Sequence, residues 1–325
     1  MAPCLGANLA PLIPLERADK QGQFKETTET MTDYKAALQS FESTHEFFVG
    51  IDSDGCAFDS MELKHKECFC PNTINYFELQ AVSKYAREAW DFVNLYSRTR
   101  GCNRFLALIY VLEHLRQRPD VQRRGVEIMK LSSLEAFSES GQPLSNPAIE
   151  EFLEANPDPE LELCMKWSHH VNRDVKRFVN NVPPFPNLRE CLEKCSPAAD
   201  MMVVSATPVE ALTKEWREHD IDKYVSLIAG QEMGNKKEHL GAVVSNYEEG
   251  KVLMIGDAPG DQKAAKANNA LFFPVVPGEE EASWEQLLGE GIDRFFNGSF
   301  AGEYEEGLTE RFLSKLPGDP PWNQE

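Results

Sequence analysis

Short apolar runs alternate along this chain with longer segments in which apolar residues recur at helical spacing. The first run, residues 47–51, has the length and composition of a buried parallel strand. Four similar runs predict further strands at 201–205, 224–229, 252–255 and 270–274. Helices are predicted around them, at 34–41, 187–195, 208–219, 236–245, 261–267, 283–296 and 304–316. This alternation indicates an α/β fold, with a doubly wound, Rossmann-like parallel sheet covered by helices on both faces.

A long helical insertion separates the first predicted strand from the others. Apolar residues recur there at helical spacing, as in Leu79, Val82, Ala86, Trp90 and Val93. We predict helices at 76–96, 105–116, 132–138, 146–156 and 159–179. The predicted organisation is a flexible N-terminal extension (1–30), an α/β core domain (31–61 and 185–325) and an inserted all-helical domain (62–184).

Two acids follow the first strand directly. Asp52 and Asp54 stand at i and i+2, so an extended chain presents both on one side, and the turn residue Gly55 comes next. Loops beyond the carboxyl ends of parallel strands are where open α/β sheets bind ligands. Neighbouring carboxylates repel each other unless a cation lies near them or one keeps its proton. A metal-bound carboxylate nucleophile beside a proton-shuttling acid would satisfy both conditions.

Three later segments place polar residues at strand ends or helix starts. Ser205 ends an apolar run, Lys236 and Lys237 begin a predicted helix, and Asp257 and Asp261 follow the strand 252–255. Each has an ordinary interpretation: a helix-capping Ser, a solvated Lys pair and a Gly-Asp turn. Their occurrence together, in this order and spacing, favours a common site.

With these motifs the sequence resembles the haloacid dehalogenase (HAD) superfamily of phosphotransferases. Asp52, Asp54, Gly55 and Asp59 match the family's Asp-x-Asp-Gly-x-x-x-Asp in spacing, and Cys56 replaces its usual Thr or Val. Ser205, the Lys pair and the Gly-Asp-x-x-x-Asp segment that ends in Asp261 stand at the second, third and fourth motif positions. The helical insertion resembles the family's C1-type cap.

The resemblance implies a Mg²⁺-dependent phosphatase that forms an aspartyl-phosphate on a small phosphorylated metabolite. The implied nucleophile is Asp52, and the implied acid and base is Asp54. Ser205 and the backbone of Ala206 would bind the phosphoryl group, and Lys236, favoured over Lys237 by its register before Leu240, would neutralise it. The metal ligands would be Asp52, Asp54 through its backbone carbonyl, Asp257 and Asp261.

The second acid limits the alternatives. The family's dehalogenases and phosphonate hydrolases replace this acid, so Asp54 argues against both chemistries. A sugar-phosphate mutase keeps both acids and a helical cap, and it stays open as an alternative. A catalytically silent binding protein with the same fold is the alternative from a different functional class.

Three arginines, Arg98, Arg100 and Arg104, cluster where the helical pattern of the insertion breaks at Gly101. One interpretation is a basic turn that pairs with surface acids. The other is a substrate-selecting loop in which arginine grips a carboxylate or a second phosphate. We predict that at least one of the three contacts the substrate.

Charge and composition restrict the partners. The chain of 325 residues carries a net charge of −20, which disfavours nucleic acids and anionic membranes as partners. Apolar runs fall short of a membrane span of about 20 residues, and the first twenty residues do not resemble a secretory signal. The eight scattered cysteines favour a reduced, cytoplasmic protein, and His65, Cys68 and Cys70 lack the paired spacing of a zinc site. The oligomeric state is left open.

Overall fold

A computed structural model describes residues 28–323 of the chain and shows one five-stranded parallel sheet. Its strands are β1 (Phe47–Ile51), β2 (Ala199–Val204), β3 (Leu227–Ala229), β4 (Val252–Gly256) and β5 (Leu271–Pro274), in the order β3-β2-β1-β4-β5. The α/β fold class predicted from the alternating pattern is confirmed. Residues 1–27, most of the predicted N-terminal extension, lie outside the described residues.

Helices cover both faces of this sheet. They are α1 (Thr28–Gln39), α10 (Leu188–Cys195), α11 (Val209–Glu218), α12 (Lys236–Val243), α13 (Pro259–Ala267), α14 (Glu280–Gln286), α15 (Ile292–Asn297) and α16 (Glu303–Ser314). β1 is buried along its whole length. Phe47, Val49 and Ile51 pack into one apolar layer, whereas Phe48 packs into the layer on the opposite face. This double burial explains why the strand is a continuous apolar run.

The chain between β1 and β2 forms a helical segment. It comprises α2 (Ser60–Leu63), a π-helical turn (Lys64–Phe69), α3 (Cys70–Tyr76), α4 (Ser83–Asn94), α5 (Arg104–Gln117), α6 (Pro119–Arg123), α7 (Ser132–Glu139), α8 (Asn146–Ala155) and α9 (Pro159–Phe178). These helices enclose their own apolar cluster, with Trp90, Trp167 and Phe105 at its centre. The boundaries 62 and 184 for a separate domain stay a prediction.

Two predicted elements differ in the structure. The continuous helix predicted at 76–96 is wrong, because the chain leaves α3 at Tyr76 and turns through Glu78, whose φ of 54° is left-handed. Leu79 still points into the core from this turn, which is why it fitted the helical pattern. The strand predicted at 224–229 is shorter, because a 3₁₀ turn (Asp222–Tyr224) takes up its first residue.

Strand register determines where the functional side chains meet. Ile51, the last residue of β1, lies opposite Val203 of β2 and Ile255 of β4. The residues that follow these three strands therefore leave the sheet at the same edge, which is the ligand-binding edge of open α/β sheets. Among residues 28–323, no helix is both long and apolar enough to cross a bilayer.

Candidate active site

Asp52 is the first residue after β1 and lies at the centre of a buried polar cluster. Its backbone N–H still donates to the carbonyl of Ile255, at 3.0 Å, so the sheet holds it in place. Of its carboxylate oxygens, Oδ1 accepts the N–H of Ser53 at 2.7 Å and Oδ2 lies 2.5 Å from Lys236 Nζ. Burial raises the pKa of Asp52 well above its usual value, although Lys236 opposes the shift. The positive charge of Lys236 therefore favours the anionic form of Asp52, which is the form that a nucleophile needs.

Lys236 begins α12 and bridges two acids. A capping box between Asn235 and Glu238 fixes the start of this helix. Lys236 Nζ lies 2.5 Å from Asp52 Oδ2 and also 2.5 Å from Asp261 Oδ1. The next residue, Lys237, is exposed. Of the two lysines, the structure thus places Lys236 in the cluster, in the register that the sequence favoured.

Asp257 and Asp261 supply the other acids of the cluster. Asp257 follows β4, and Asp261 lies in the first turn of α13, where its Oδ2 accepts the N–H of Ala258 at 3.0 Å. Gly256 permits this arrangement, because a Cβ there would lie 2.4 Å from the Cβ of Asp261. One oxygen from each of Asp52, Asp257 and Asp261 lies within 4.8 Å of the other two. The cluster can therefore offer three carboxylate ligands to a single hard cation such as Mg²⁺.

Asp257 itself shows an unused ligand atom. Its side chain is fully buried, and its Oδ1 has no hydrogen-bond partner among the described residues. Burial raises the pKa of Asp257, against the opposing charge of Arg100. A buried carboxylate oxygen without a partner is costly, and a bound cation would remove that cost. The residues present therefore fit the divalent metal that the sequence predicts.

The Asp54 side chain is not a member of this cluster. It accepts hydrogen bonds from Ser60 Oγ at 2.5 Å and Thr207 Oγ1 at 2.8 Å, and it forms an ion pair with Lys64. Burial alone would raise the pKa of Asp54, but Lys64 and the hydroxyl donors outweigh it and lower the pKa to about 2. These three contacts hold the Asp54 carboxylate, and the metal contact expected through its backbone carbonyl stays a prediction.

The end of β2 contributes Ser205, Ala206 and Thr207. Ser205 is buried, and its N–H donates to the carbonyl of Ala229 at 3.0 Å. Its Oγ accepts the N–H of Thr207 at 3.2 Å, while Ala206 is exposed. The backbone N–H of Ser205 is thus already engaged, and Thr207 supplies the hydroxyl that reaches Asp54. The phosphoryl-binding roles of Ser205 and Ala206 stay predictions.

The three arginines go to three different places. Arg100 is buried and binds Asp257, with Nε 2.8 Å and Nη2 2.6 Å from its Oδ2. Arg104, at the start of α5, donates from Nη1 to Ser168 and Asn172 and lies over the ring of Phe69. Arg98 is exposed and borders a surface groove along α16. The structure thus brings Arg100 to the acid cluster and separates Arg98 from it.

Gly55 makes room for Arg100. Its φ is +75°, and a Cβ there would lie 2.7 Å from both Arg100 Nη2 and Asp257 Oδ2. A glycine is therefore needed for the turn and also for the approach of an arginine from the helical segment.

Three residues of the site were missed by the sequence analysis: Lys64, Thr207 and Glu215. Lys64 stands four residues after Ser60 in a helical stretch, so helical spacing could have placed both beside Asp54. Thr207 belongs to the Ser-Ala-Thr run after β2. Glu215 accepts from Ser53 Oγ at 3.0 Å, and burial, followed by the charge of Asp54, raises its pKa to about 7. No sequence signal marks Glu215.

The grouping of His65, Cys68 and Cys70 has another structural explanation. His65 Nδ1 accepts the indole N–H of Trp90 at 3.1 Å. Burial raises the pKa of the Cys68 thiol to about 11 and that of Cys70 to about 12, so both stay protonated at neutral pH. Among the described residues, His65, Cys68 and Cys70 do not bring three ligand atoms within 4.8 Å of one another. Among the described residues, the group that could hold a metal is the three-acid cluster.

One protein family and several solved structures are similar to this chain. A model of the haloacid dehalogenase-like hydrolases matches residues 108–275. Among solved structures, a HAD-superfamily hydrolase from Geobacter sulfurreducens is 15% identical over 72% of this chain and 90% of its own, with a TM-score of 0.36. A haloacid dehalogenase-like hydrolase from Streptococcus pneumoniae is 12% identical over 75% and 92%, with a TM-score of 0.41. A predicted phosphoglycolate phosphatase from Haemophilus somnus is 16% identical over 71% and 86%, with a TM-score of 0.39.

No curated protein matches the sequence. The family model, however, covers more than half of the chain, from α5 to the residue after β5. It includes the segments that carry Ser205, Lys236, Asp257 and Asp261. The chain belongs to the haloacid dehalogenase-like hydrolases.

Proposed function

We propose that this hydrolase is a Mg²⁺-dependent phosphatase that acts on a small phosphorylated metabolite through an aspartyl-phosphate intermediate. The observation that carries the proposal is the three-acid cluster of Asp52, Asp257 and Asp261, with Lys236 between two of its members. An unpartnered, buried oxygen of Asp257 supports a cation at the same place.

Asp52, Asp257 and Asp261 would hold the metal, together with the backbone carbonyl of Asp54. When bound, magnesium would offset the negative charge that develops on the phosphoryl oxygens. Asp52 is the nucleophile because it is the cluster member that directly follows β1 and is fixed by Ser53 N–H and Lys236. A bond forms between its carboxylate oxygen and phosphorus as the bond to the leaving oxygen breaks. Lys236 neutralises charge on both Asp52 and the transferred group.

Asp54 is the acid and base of the reaction. Its low pKa means that the base form prevails at neutral pH, so Asp54 must first take up a proton from solvent or from the entering substrate, which it then gives to the leaving oxygen. In the second step the ionised Asp54 takes a proton from the attacking water, as the water oxygen bonds to phosphorus and the bond between phosphorus and Asp52 breaks. Ser60, Thr207 and Lys64 hold the carboxylate in one orientation.

The substrate side of the proposal concerns the helical segment. We interpret this segment as the cap, and the ion pairs of Lys64 with Asp54 and of Arg100 with Asp257 support that interpretation.

We place the protein in a reducing, cytoplasmic setting, a proposal supported by the seven described cysteines, which are free thiols.

The test is release of phosphate from an aryl phosphate by the purified protein. We expect activity with Mg²⁺, loss in chelator and recovery when Mg²⁺ is added back. Asp52→Asn should abolish turnover while the far-UV circular dichroism stays unchanged, because an amide of nearly the same shape is not a nucleophilic anion. Full activity in verified absence of metal, or retention of more than a few per cent by Asp52→Asn, would contradict the proposal. Isomerisation of a sugar phosphate without phosphate release would instead favour the mutase alternative.

A further inference from the structure

Arg104 has no charged partner among residues 28–323, although the protein is rich in acids. No carboxylate oxygen of the described residues lies within 4 Å of its guanidinium nitrogens. Its Nη1 donates to two neutral groups, Ser168 Oγ at 3.1 Å and Asn172 Oδ1 at 2.6 Å. Burial lowers the pKa of Arg104 to about 10, so the environment disfavours its charge. An anion bound beside this half-buried guanidinium would therefore stabilise its charge.

His65 lies near enough to Arg104 to feel its charge, and it presents a hydrogen-bond donor. Since Nδ1 accepts the N–H of Trp90, the ring proton must be on Nε2. Burial, with the nearby charge of Arg100, lowers the pKa of His65 to about 3, so the ring stays neutral at physiological pH. Nε2–H makes no hydrogen bond to any described residue. It is also not one of the fully buried polar atoms that lack a partner, so it is not closed off from solvent. It can therefore donate to a ligand.

Phe69 joins the two groups. The His65 ring stacks on Phe69 with centroids 4.8 Å apart, and the Arg104 guanidinium carbon lies 5.1 Å from the centre of the same ring. Both are close in sequence to residues that contact acids of the site. Lys64, the neighbour of His65, contacts Asp54, and Arg100, four residues before Arg104, contacts Asp257.

The way in which these charges pair indicates the kind of anion. Lys64 pairs with Asp54, Arg100 pairs with Asp257, and Lys236 pairs with both Asp52 and Asp261. Arg104 has no carboxylate partner among the described residues, so its positive charge is not paired locally, and His65 adds a neutral donor. A carboxylate, with one negative charge and two acceptor oxygens, matches this pair better than a second phosphate with two charges.

We propose that His65 and Arg104 form a carboxylate-binding subsite for the leaving group, so that the substrates are phosphate monoesters of hydroxy acids. This inference rests on the proposed phosphatase function. The phosphoryl group would lie at Asp52, and the carboxylate would lie against the helical segment. Arg104 and His65 are then residues that select the substrate, without a part in bond breaking.

The test compares 2-phosphoglycolate, the smallest phosphorylated hydroxy acid, with its amide, in which an uncharged carboxamide replaces the carboxylate and the phosphate is kept. The wild-type protein should prefer the acid in kcat/KM by about tenfold or more, since hydrogen bonds to charged groups are the strong ones. Arg104→Gln should reduce that preference to near one, mainly through a higher KM for the acid. His65→Phe keeps the stacking on Phe69 and removes the donor, so it should reduce the preference in part. Arg98→Gln is the matched control and should change nothing.

The ratio of kcat/KM for acid and amide in the wild type can by itself refute the proposed subsite, so the test does not depend on whether a variant folds. Equal kcat/KM for acid and amide, or an Arg104→Gln variant that weakens both equally, would refute it while leaving the phosphatase proposal intact. Calorimetric binding of 2-phosphoglycolate in chelator separates the two proposals from the other side. Arg104-dependent binding without any turnover in Mg²⁺ would keep the subsite and refute the phosphatase.

Discussion

Replacing Arg100 with methionine tests how the helical segment supports the acid cluster. Arg100 and Asp257 form an ion pair in which both side chains are almost fully buried, at 2% and 1% exposure. Methionine retains the aliphatic stem and removes the charge. The variant would leave Asp257 in the interior with a negative charge and no cationic partner.

The expected cost follows from what the guanidinium contacts. Its Nε and Nη2 both reach Asp257 Oδ2, Nε also reaches the Asp257 carbonyl at 3.1 Å, and Nη1 reaches the carbonyl of Leu95 at 2.8 Å. Removing one partner of a buried ion pair typically destabilises a protein by 3–5 kcal/mol, and we expect about 4 kcal/mol in chelator. Because a domain has only about 5–15 kcal/mol of stability, this loss should be large and easy to measure.

Magnesium should reduce the loss. The cluster of Asp52, Asp257 and Asp261 is offset by Lys236 and Arg100, which leaves one net negative charge, and the variant would have two. A divalent cation should therefore bind the variant more tightly than the wild type. At a concentration about 100 times its dissociation constant, a ligand stabilises the protein that it binds by about 2.7 kcal/mol. Because Mg²⁺ also stabilises the wild type, the difference in unfolding free energy between the two proteins should narrow by about 1.4 kcal/mol for each tenfold by which the variant binds more tightly.

The assay is urea unfolding followed by far-UV circular dichroism, in chelator and in Mg²⁺, with m values compared to verify that the unfolded states are alike. Arg98→Met is the matched control, since Arg98 lies two residues away and is exposed. A loss below about 1 kcal/mol in chelator would show that the pair does not support the fold. If Mg²⁺ does not narrow the difference in unfolding free energy between variant and wild type, then Arg100 and the cation do not act on the same acid cluster.

Two further predictions concern the lysine pair and Glu215. Lys236→Ala should lower kcat by several decades and Lys237→Ala should leave it nearly unchanged, because Lys236 alone of the two contacts Asp52. If a phosphate-release assay gives the reverse result, Lys237 and not Lys236 is the lysine of the site. The pKa of Glu215 is about 7 in the folded protein and about 4.3 in an unfolded chain, so the wild type should lose stability as pH rises between these values and not regain it above them. Glu215→Gln removes this loss, and its melting temperature should exceed that of the wild type at pH 8 but not at pH 4; a lower melting temperature at pH 8 would contradict the assignment.

The sheet and its strand-end residues could be predicted because they depend on local sequence. A buried parallel strand must be an apolar run of limited length, and the residue after it must leave the sheet at the carboxyl edge. Asp52 and Asp257 therefore could be expected near each other before any contact was known. The break in the helix predicted at 76–96 could not, because it depends on one left-handed residue, Glu78, whose side-chain type gives no warning.

The cations that meet the acids were harder to predict, because their partners lie far along the chain. Arg100 and Asp257 are 157 residues apart, and Lys236 and Asp52 are 184 apart. For Lys236, the predicted start of a helix indicated which of the two neighbouring lysines belongs to the site. For the arginines nothing in the sequence tells which of Arg98 and Arg100 points inward, since both lie in a turn without helical periodicity. Only the packing of the helical segment on the core decides this.

The distribution of charge shows why the core motifs alone describe only part of the site. One cation, Lys236, comes from the core, but Lys64 and Arg100 both come from the helical segment. Without that segment, Asp54 and Asp257 would lose their positive partners, and Lys236 would still pair with Asp52 and Asp261 alone. The pKa values of these acids, and with them the affinity for a cation, therefore depend on where the helical segment lies. In this protein the segment between β1 and β2 is part of the electrostatics of the acid cluster, and a substitution within it can alter chemistry at Asp54 or Asp257 without touching either residue.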